Sequence, residues 1–334
     1  MTDMDAIALK PHLGLSAAMS AWANLSDKDK YAWDGQDCRD ALRAAIAPAL
    51  HGYGVARIPL LDRLDDHGVE YLQHLLLALS QQIGYVLPQT HENNLIGQIQ
   101  DEGIDYRVPT SRGHKTNSEL NFHSDRSDLN FLLYVRPAQV GGELSVVSFD
   151  AATRLLAVRA PDALEVLQRN FPFDLRDERI FHDREWCLHP ILWRRGKEMR
   201  GHYIRRFILD SQRHATCPRL TEAQHSALST FEALLDELRV GLTFKPSAGE
   251  LLVLNNYRVL HARTSFCDSG QSGLGRLALR TWVAPYDSEE LPEFMRPISG
   301  AVTAGSFRGG VGKGDTYLSL LGSTFQQLID GPML

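Results

Sequence analysis

The stretch Asn117-Ser-Glu-Leu-Asn-Phe-His-Ser-Asp125 carries an imidazole and a carboxylate two residues apart, at His123 and Asp125. Side chains alternate along an extended chain, so the two share a side if this segment is a strand. A neutral nitrogen beside an anionic oxygen makes two-thirds of a facial site for a divalent metal. One further imidazole completes the 2-His-1-carboxylate set that leaves three positions open on non-haem Fe(II). The pair alone is weak, because about one His-x-Asp arises by chance in a chain with 13 histidines among 334 residues. The same parity carried backwards puts Glu119 and Asn121 on the side of His123. They are candidates for polar substrate contacts, the alternative being that they satisfy loop backbone.

The third imidazole is sought downstream, in Glu250-Leu-Leu-Val-Leu-Asn-Asn-Tyr-Arg-Val-Leu-His-Ala-Arg-Thr-Ser-Phe266. An apolar strand, a polar turn at Asn255-Asn256 and then His261 would set an imidazole just inside a barrel mouth. A histidine in such a place is commonly a hydrogen-bonded core residue. Arg276 and Arg280 alter that reading, because Arg-Leu-Ala-Leu-Arg places both on one side of an otherwise apolar strand. Buried guanidinium groups need anions. Either Glu143, Glu250 or Asp150 supplies the charge, or a bound dicarboxylate does, since the guanidinium fork suits carboxylates. Arg126 and Tyr203-Ile-Arg-Arg206 are further polar candidates. His91, His114, His182, His189 and His202 have no second ligand at a useful spacing and are expected to be surface or packing residues.

Composition bounds the rest. Apolar content of 43% and charged content of 23% are those of a globular chain with a packed core. A net charge of −6 shows no basic excess, which argues against nucleic acid as a partner. No apolar run is long enough to span a bilayer, and the N-terminus lacks a signal-like segment, so a cytoplasmic protein is expected. Cys38, Cys187, Cys217 and Cys267 have no framework spacing and are expected to be reduced thiols. Length permits one domain, with an N-terminal arm over 1–37, a core with flanking helices and an inserted lid region over 38–284, and an extension over 285–334.

Along the chain, Asp37 to Leu50 has helical spacing, with Asp37 as cap and Gly52 as stop. Gly54 to Pro59 is a strand. A second helix opens at Asp65-Asp66, carries the apolar stripe Leu72, Leu75, Leu76, Leu79 and Ile83, and ends at Gly84. Strands are expected at Ile96–Ile99, Asn130–Val135 and Glu143–Phe149, with two helices split by Pro161 between 150 and 170. Ile180-Phe181, Ile191–Trp193 and His202–Leu209 also look like strands, with Arg195-Gly-Lys197 a hairpin turn. A helix from Thr221 buries Leu228, Phe231, Leu234, Leu235 and Leu238. Leu242–Phe244, Glu250–Asn255, Val259–Arg263 and Arg276–Val283 are strands. Arg308-Gly-Gly-Val-Gly-Lys-Gly314 has glycines without the phosphate-loop order and is expected to be a flexible loop. Many short strands with occasional helices predict a mainly β, α+β fold built on a closed or sandwiched antiparallel sheet.

His123-Ser-Asp125, then Gly141-Gly-Glu143, then Asn256-Tyr-Arg-Val-Leu-His261-Ala-Arg263 followed by Arg276 resemble the taurine dioxygenase (TauD/TfdA-like) family. The resemblance covers roughly residues 75 to 284, with the motifs in family order. It implies a double-stranded β-helix (jelly roll) core flanked by helices, Fe(II) held by His123, Asp125 and His261, and 2-oxoglutarate and O2 as cosubstrates. It implies that Arg276 clasps the distal carboxylate of 2-oxoglutarate and that Arg280 lies near cosubstrate or substrate. Ser145 is the nearest hydroxyl to the position at which the family supports that carboxylate. Ser124 stands where Thr is commoner and Ala262 where Gly is. The implied reaction hydroxylates an unactivated C–H of a small polar, amino-acid-derived molecule, with succinate and CO2 as co-products. Desaturation or cyclisation by the same oxidant is the near alternative. A redox-inactive zinc hydrolase, a cupin-like isomerase and a non-catalytic scaffold are the distant ones. Asp125 disfavours halogenation, because halogenases of this superfamily carry Gly or Ala there. The expected partner is a small molecule, with neither nucleic acid nor membrane, and a homo-oligomer is compatible with everything above.

Overall fold

A computed structural model of the protein describes residues 36–61, 68–104, 113–176, 184–239, 243–268, 275–324 and 327. Residues 1–35 of the N-terminal arm, the Asp65-Asp66 helix start, Ile180-Phe181 and His182 lie outside them. In chain order the first elements are α1 (Gln36–His51), β1 (Val55–Pro59), α2 (Val69–Ile83), β2 (Gly84–Leu87) and β3 (Gly97–Ile99). There follow β4 (Leu120–His123), β5 (Leu129–Arg136), β6 (Val140–Gly141), β7 (Leu144–Ser148), α3 (Phe149–Arg159) and α4 (Pro161–Leu167). A second stretch holds β8 (Asn170–Asp174), β9 (Trp186–Pro190), β10 (Leu192–Arg195), β11 (Glu198–Gly201), α5 (Arg205–Asp210) and α6 (Glu222–Arg239). The chain then forms β12 (Thr243–Phe244), β13 (Glu250–Asn255), β14 (Val259–Arg263), β15 (Phe266–Cys267), β16 (Leu277–Pro285), α7 (Arg296–Ser299) and α8 (Asp315–Leu320).

Two antiparallel sheets make the jelly roll. The larger has the order β1-β13-β5-β16-β2, with β3 also on β16, and the smaller the order β12-β7-β14-β4. Strand β5 is buried on both faces, and alternation sorts its residues. Leu129, Phe131, Leu133 and Val135 pack beneath α1 and α2, against Leu42, Ile46, Leu72, Leu76 and Leu79. Leu132 and Tyr134 face inward to the core shared with Phe122, Leu144 and Leu260 of the smaller sheet. The α2 stripe therefore covers the outer face of the large sheet, at about 25 cal/mol per Å² of apolar surface removed from water. Helix α6 begins with a reciprocal cap at the expected place. Thr221 Oγ1 accepts from the Gln224 amide at 3.2 Å, and Gln224 Oε1 accepts from the Thr221 amide at 2.9 Å.

Several expectations need correction. Asp37 lies within α1, which starts at Gln36. Gly84 ends α2 but leads straight into β2, and the reason is steric: a Cβ there would sit 2.1 Å from the Ala284 carbonyl oxygen of β16. Residues 202–209 are not a strand. Ile204, Phe207 and Ile208 are spaced i, i+3, i+4, Leu209 faces solvent, and Arg205–Asp210 is helical. The return strand of the hairpin is instead β11, with Arg195 opposite Glu198. Strands β8 and β9 pair with each other, Phe173 opposite Cys187, although Pro172 obscures the first of them in the sequence. Arg308 to Gly314 is not a flexible loop: Arg308, Gly309, Gly310, Val311 and Gly312 are buried.

Candidate active site

Strands β4 and β14 pair antiparallel with His123 directly opposite His261. Cross-strand partners stand about 4.5–5.5 Å apart, and the two imidazole centroids are 4.3 Å from each other. Two residues 138 positions apart in the chain are thus brought to one spot by register. His123 Nδ1 lies 2.8 Å from the carbonyl oxygen of Asn121, to which it donates, which fixes the ring and leaves Nε2 as the nitrogen that can turn to an ion. His261 is buried and its Nδ1 has no hydrogen-bond partner. Burial, then the neighbouring His123, push its pKa down to about 3, against an opposing pull from Asp125, so the ring is a neutral donor.

Asp125 follows β4 in the loop to β5 rather than within an extended strand. Its amide donates to Asn256 Oδ1 at 3.0 Å. Its Oδ2 accepts from Asn130 Nδ2 at 2.5 Å, Arg280 Nη1 at 3.1 Å and Trp282 Nε1 at 3.4 Å. All three donors take the same oxygen, which leaves Oδ1 for an ion. Burial would raise the pKa of this carboxyl, but Arg280, the two imidazoles and Asn130 together hold it well below the usual carboxylate range. Sheet register explains the convergence, since Asn130 of β5 lies opposite Trp282 of β16 and Leu132 opposite Arg280. As the side chains stand, no three His, Cys, Asp or Glu among the described residues are in an ion-holding arrangement. The donor set still fits Fe(II): two imidazoles in contact, an ionised carboxylate beside them, and a buried ring nitrogen without a partner.

These groups open into a cavity of about 460 Å³ lined by His123, Asp125, His261, Arg276, Arg280 and Trp282 among others. Arg276 is buried, with Nη1 3.4 Å from the Ile99 carbonyl oxygen and its guanidinium near the Phe266 and Tyr134 rings. It has no ion-pair partner among the described residues. Arg280 differs: Asp125 partly neutralises it, and its Nε donates to Gln89 Oε1 at 2.7 Å. The three carboxylates that sequence offered as partners are engaged elsewhere. Glu250 binds Arg57 at 2.7 Å, Asp150 binds Arg154 at 2.8 Å, and Glu143 accepts from the Thr264 hydroxyl.

Glu119 and Asn121 both line the cavity, Glu119 while paired with Arg239 at 2.6 Å. Ser145 is not brought to the cavity; its hydroxyl is 2.7 Å from that of Thr243 at the far side of the smaller sheet. Arg126, Arg205 and Arg206 also line the cavity, joined by Arg176 and Arg263. His189 and His202 are buried and do not line the cavity, His189 stacked on Phe173 at 3.7 Å. Sequence reasoning missed Asn130, Gln89 and Trp282. The available signal was parity, because Asn130 is the polar residue of an apolar strand and Trp282 is two residues beyond Arg280.

Comparison with known proteins bears on the family and the fold. The profile of the family described as "Taurine catabolism dioxygenase TauD, TfdA family" matches residues 19–282. FR-33289 synthase of Streptomyces rubellomurinus is 24% identical over 247 residues, covering 72% of each chain. A taurine hydroxylase-like protein of Stachybotrys chartarum is 28% identical over 190 residues, 53% of this chain and 48% of its own. Among solved structures, asparagine oxygenase superposes with a TM-score of 0.61 at 16% identity, over 81% of this chain and 90% of its own. The non-heme iron oxygenase OrfP in complex with Fe and alpha-ketoglutaric acid superposes with a TM-score of 0.54 at 17% identity, over 84% and 91%. The chain belongs to the taurine catabolism dioxygenase TauD, TfdA family and is an iron(II)- and 2-oxoglutarate-dependent dioxygenase.

Proposed function

We propose that His123, Asp125 and His261 hold Fe(II), that Arg276 binds the distal carboxylate of 2-oxoglutarate, and that the enzyme hydroxylates a small, amino-acid-derived acid. The observation that carries this reading is the His123–His261 pair beside Asp125, at the wall of a cavity that also holds an arginine with no ion pair among the described residues. When bound, iron and 2-oxoglutarate supply activation of O2 coupled to oxidative decarboxylation, with succinate and CO2 released. The protein's part is to present two imidazoles, to keep Asp125 ionised, and to hold one carboxylate oxygen so that the other faces the ion. Arg276, held near the Phe266 and Tyr134 rings, orients a carboxylate through its fork.

Charge points to the substrate class. Seven arginines but only three carboxylates (Glu119, Asp125 and Asp210) line the cavity. Several of the arginines are ion-paired, Arg205 with Glu232, Arg176 and Arg206 with Asp210 and Arg280 with Asp125, but a lining rich in guanidinium groups still favours a substrate with its own carboxylate or comparable oxyanion. The relatives are consistent with a substrate of this kind: the asparagine oxygenase structure contains 2S,3S-3-hydroxyasparagine and succinate, and OrfP binds L-Arg. A cytoplasmic location belongs to the same proposal; no helix among the described residues is long and apolar enough to cross a membrane. The test is succinate release across a panel of amino acids and N-acylated amino acids, each paired with its neutral amide. Stimulation by acids and not by amides is expected. Stimulation by amides alone, or by no member, would contradict the substrate class.

A further inference from the structure

The loop from Ser124 to Asp128, which carries Asp125 out of β4 and into β5, is fastened from behind by a segment outside the family match. Arg308 is 1% exposed, yet it lies 180 positions from its main partner. Its Nη2 and Nε donate to Asp128 Oδ1 and Oδ2 at 2.5 and 3.1 Å, a bidentate pair. The remaining donors reach backbone carbonyls of Val302 at 3.2 Å, Thr303 at 3.1 Å and Glu289 at 2.7 Å. A buried guanidinium so fully satisfied has one effective geometry, and it fixes Asp128 three residues from Asp125.

The next residues add to the clamp. The Gly310 amide donates to the Arg126 carbonyl oxygen at 3.2 Å, inside the same loop. Gly309 and Gly310 have φ of +86° and +77°, and a Cβ on Gly310 would lie 2.7 Å from the Pro88 carbonyl oxygen. Only glycine allows this close approach and this backbone together. From the other side Asn256 takes the Asp125 amide and the Asp128 carbonyl.

We propose that Arg308, with Gly309-Gly310, is a positioning element for the metal-binding carboxylate: the C-terminal segment holds the 124–128 loop in the shape that presents Asp125 to iron. This rests on the ligand assignment made above. Arg308 touches neither ion nor substrate and acts through Asp128.

The test uses full-length Arg308→Lys and Asp128→Asn, the second preserving shape should the first fail to fold. Two quantities are read in protein whose circular dichroism matches wild type. One is the Fe(II) dissociation constant, from the visible band formed anaerobically with 2-oxoglutarate; the other is amide hydrogen exchange at 124–128 without metal. Fe(II) affinity should fall about 10–100-fold, as for loss of groups that orient a ligand, with faster exchange confined to this loop. Folded variants that bind Fe(II) as wild type does would overturn the clamp. Wild-type protein that forms no band would instead remove the ligand assignment, so the two failures are distinguishable.

Discussion

Asp125 is where the account is most exposed, because one carboxylate must face an ion with one oxygen while the other takes three hydrogen bonds. Asp125→Ala or His261→Ala should abolish succinate formation while leaving circular dichroism unchanged; turnover in either variant would refute the ligand assignment. Asn130→Ala removes one donor from Oδ2 and should weaken Fe(II) binding about tenfold, measured by the same anaerobic titration, whereas unchanged affinity would make Asn130 a packing residue only. Arg276→Ala should raise the 2-oxoglutarate concentration required for half-maximal rate about 10–100-fold, the loss of a charge-assisted pair. An unchanged requirement would take Arg276 out of that role. At this scale the sequence singled out His123, Asp125 and His261, each in a short motif with a periodic surrounding, and the fold brings the three side chains together. Of the supporters, Asn130 and Trp282 carried a parity signal, but their convergence with Gln89 on Asp125 and Arg280 depends on register between strands far apart in the chain, which no local pattern reveals. Ser145 shows the reverse error, as a suitable residue type whose hydroxyl faces Thr243.

Elements were legible where one period dominated. The α2 stripe, the helix start at Thr221, Pro161 between two helices and strands β13 and β14 all follow from local spacing. Residues 202–209 misled because short apolar runs satisfy both a twofold and a 3.6-residue period. Gly84 was identified as a stop, but its reason is the backbone of β16, which no local pattern reveals. Gly84→Ala should therefore cost about 1–3 kcal/mol of stability by forcing β2 away from β16, measured as a lower urea midpoint with unchanged slope. A neutral result would mean that β2 shifts freely, contrary to its pairing of Val86 with Val283.

For the whole molecule, stability against acid should depend on the buried imidazoles of His189 and His202. Burial pushes His189 down to about 4 and His202 well below its ordinary value. The unfolded chain takes up these protons near pH 6.5 while the folded protein does not, so stability is full above about 6.5 and is lost as pH falls towards 4. Each such group contributes a slope of about 1.4 kcal/mol per pH unit. His189→Phe, which keeps a ring against Phe173, should flatten the fall in urea-unfolding free energy between pH 6 and 5 by that amount. Equal slopes would show that His189 protonates in the folded state.

The central claim is that two imidazoles and a carboxylate meet around one iron beside an arginine that receives a keto diacid. Anaerobic titration of metal-free protein with Fe(II) and 2-oxoglutarate tests it most directly. The account predicts a visible charge-transfer band saturating at one iron per chain, lost in Asp125→Ala and requiring far more 2-oxoglutarate in Arg276→Ala. The absence of a band in wild type, or an undiminished band in Asp125→Ala, would contradict it.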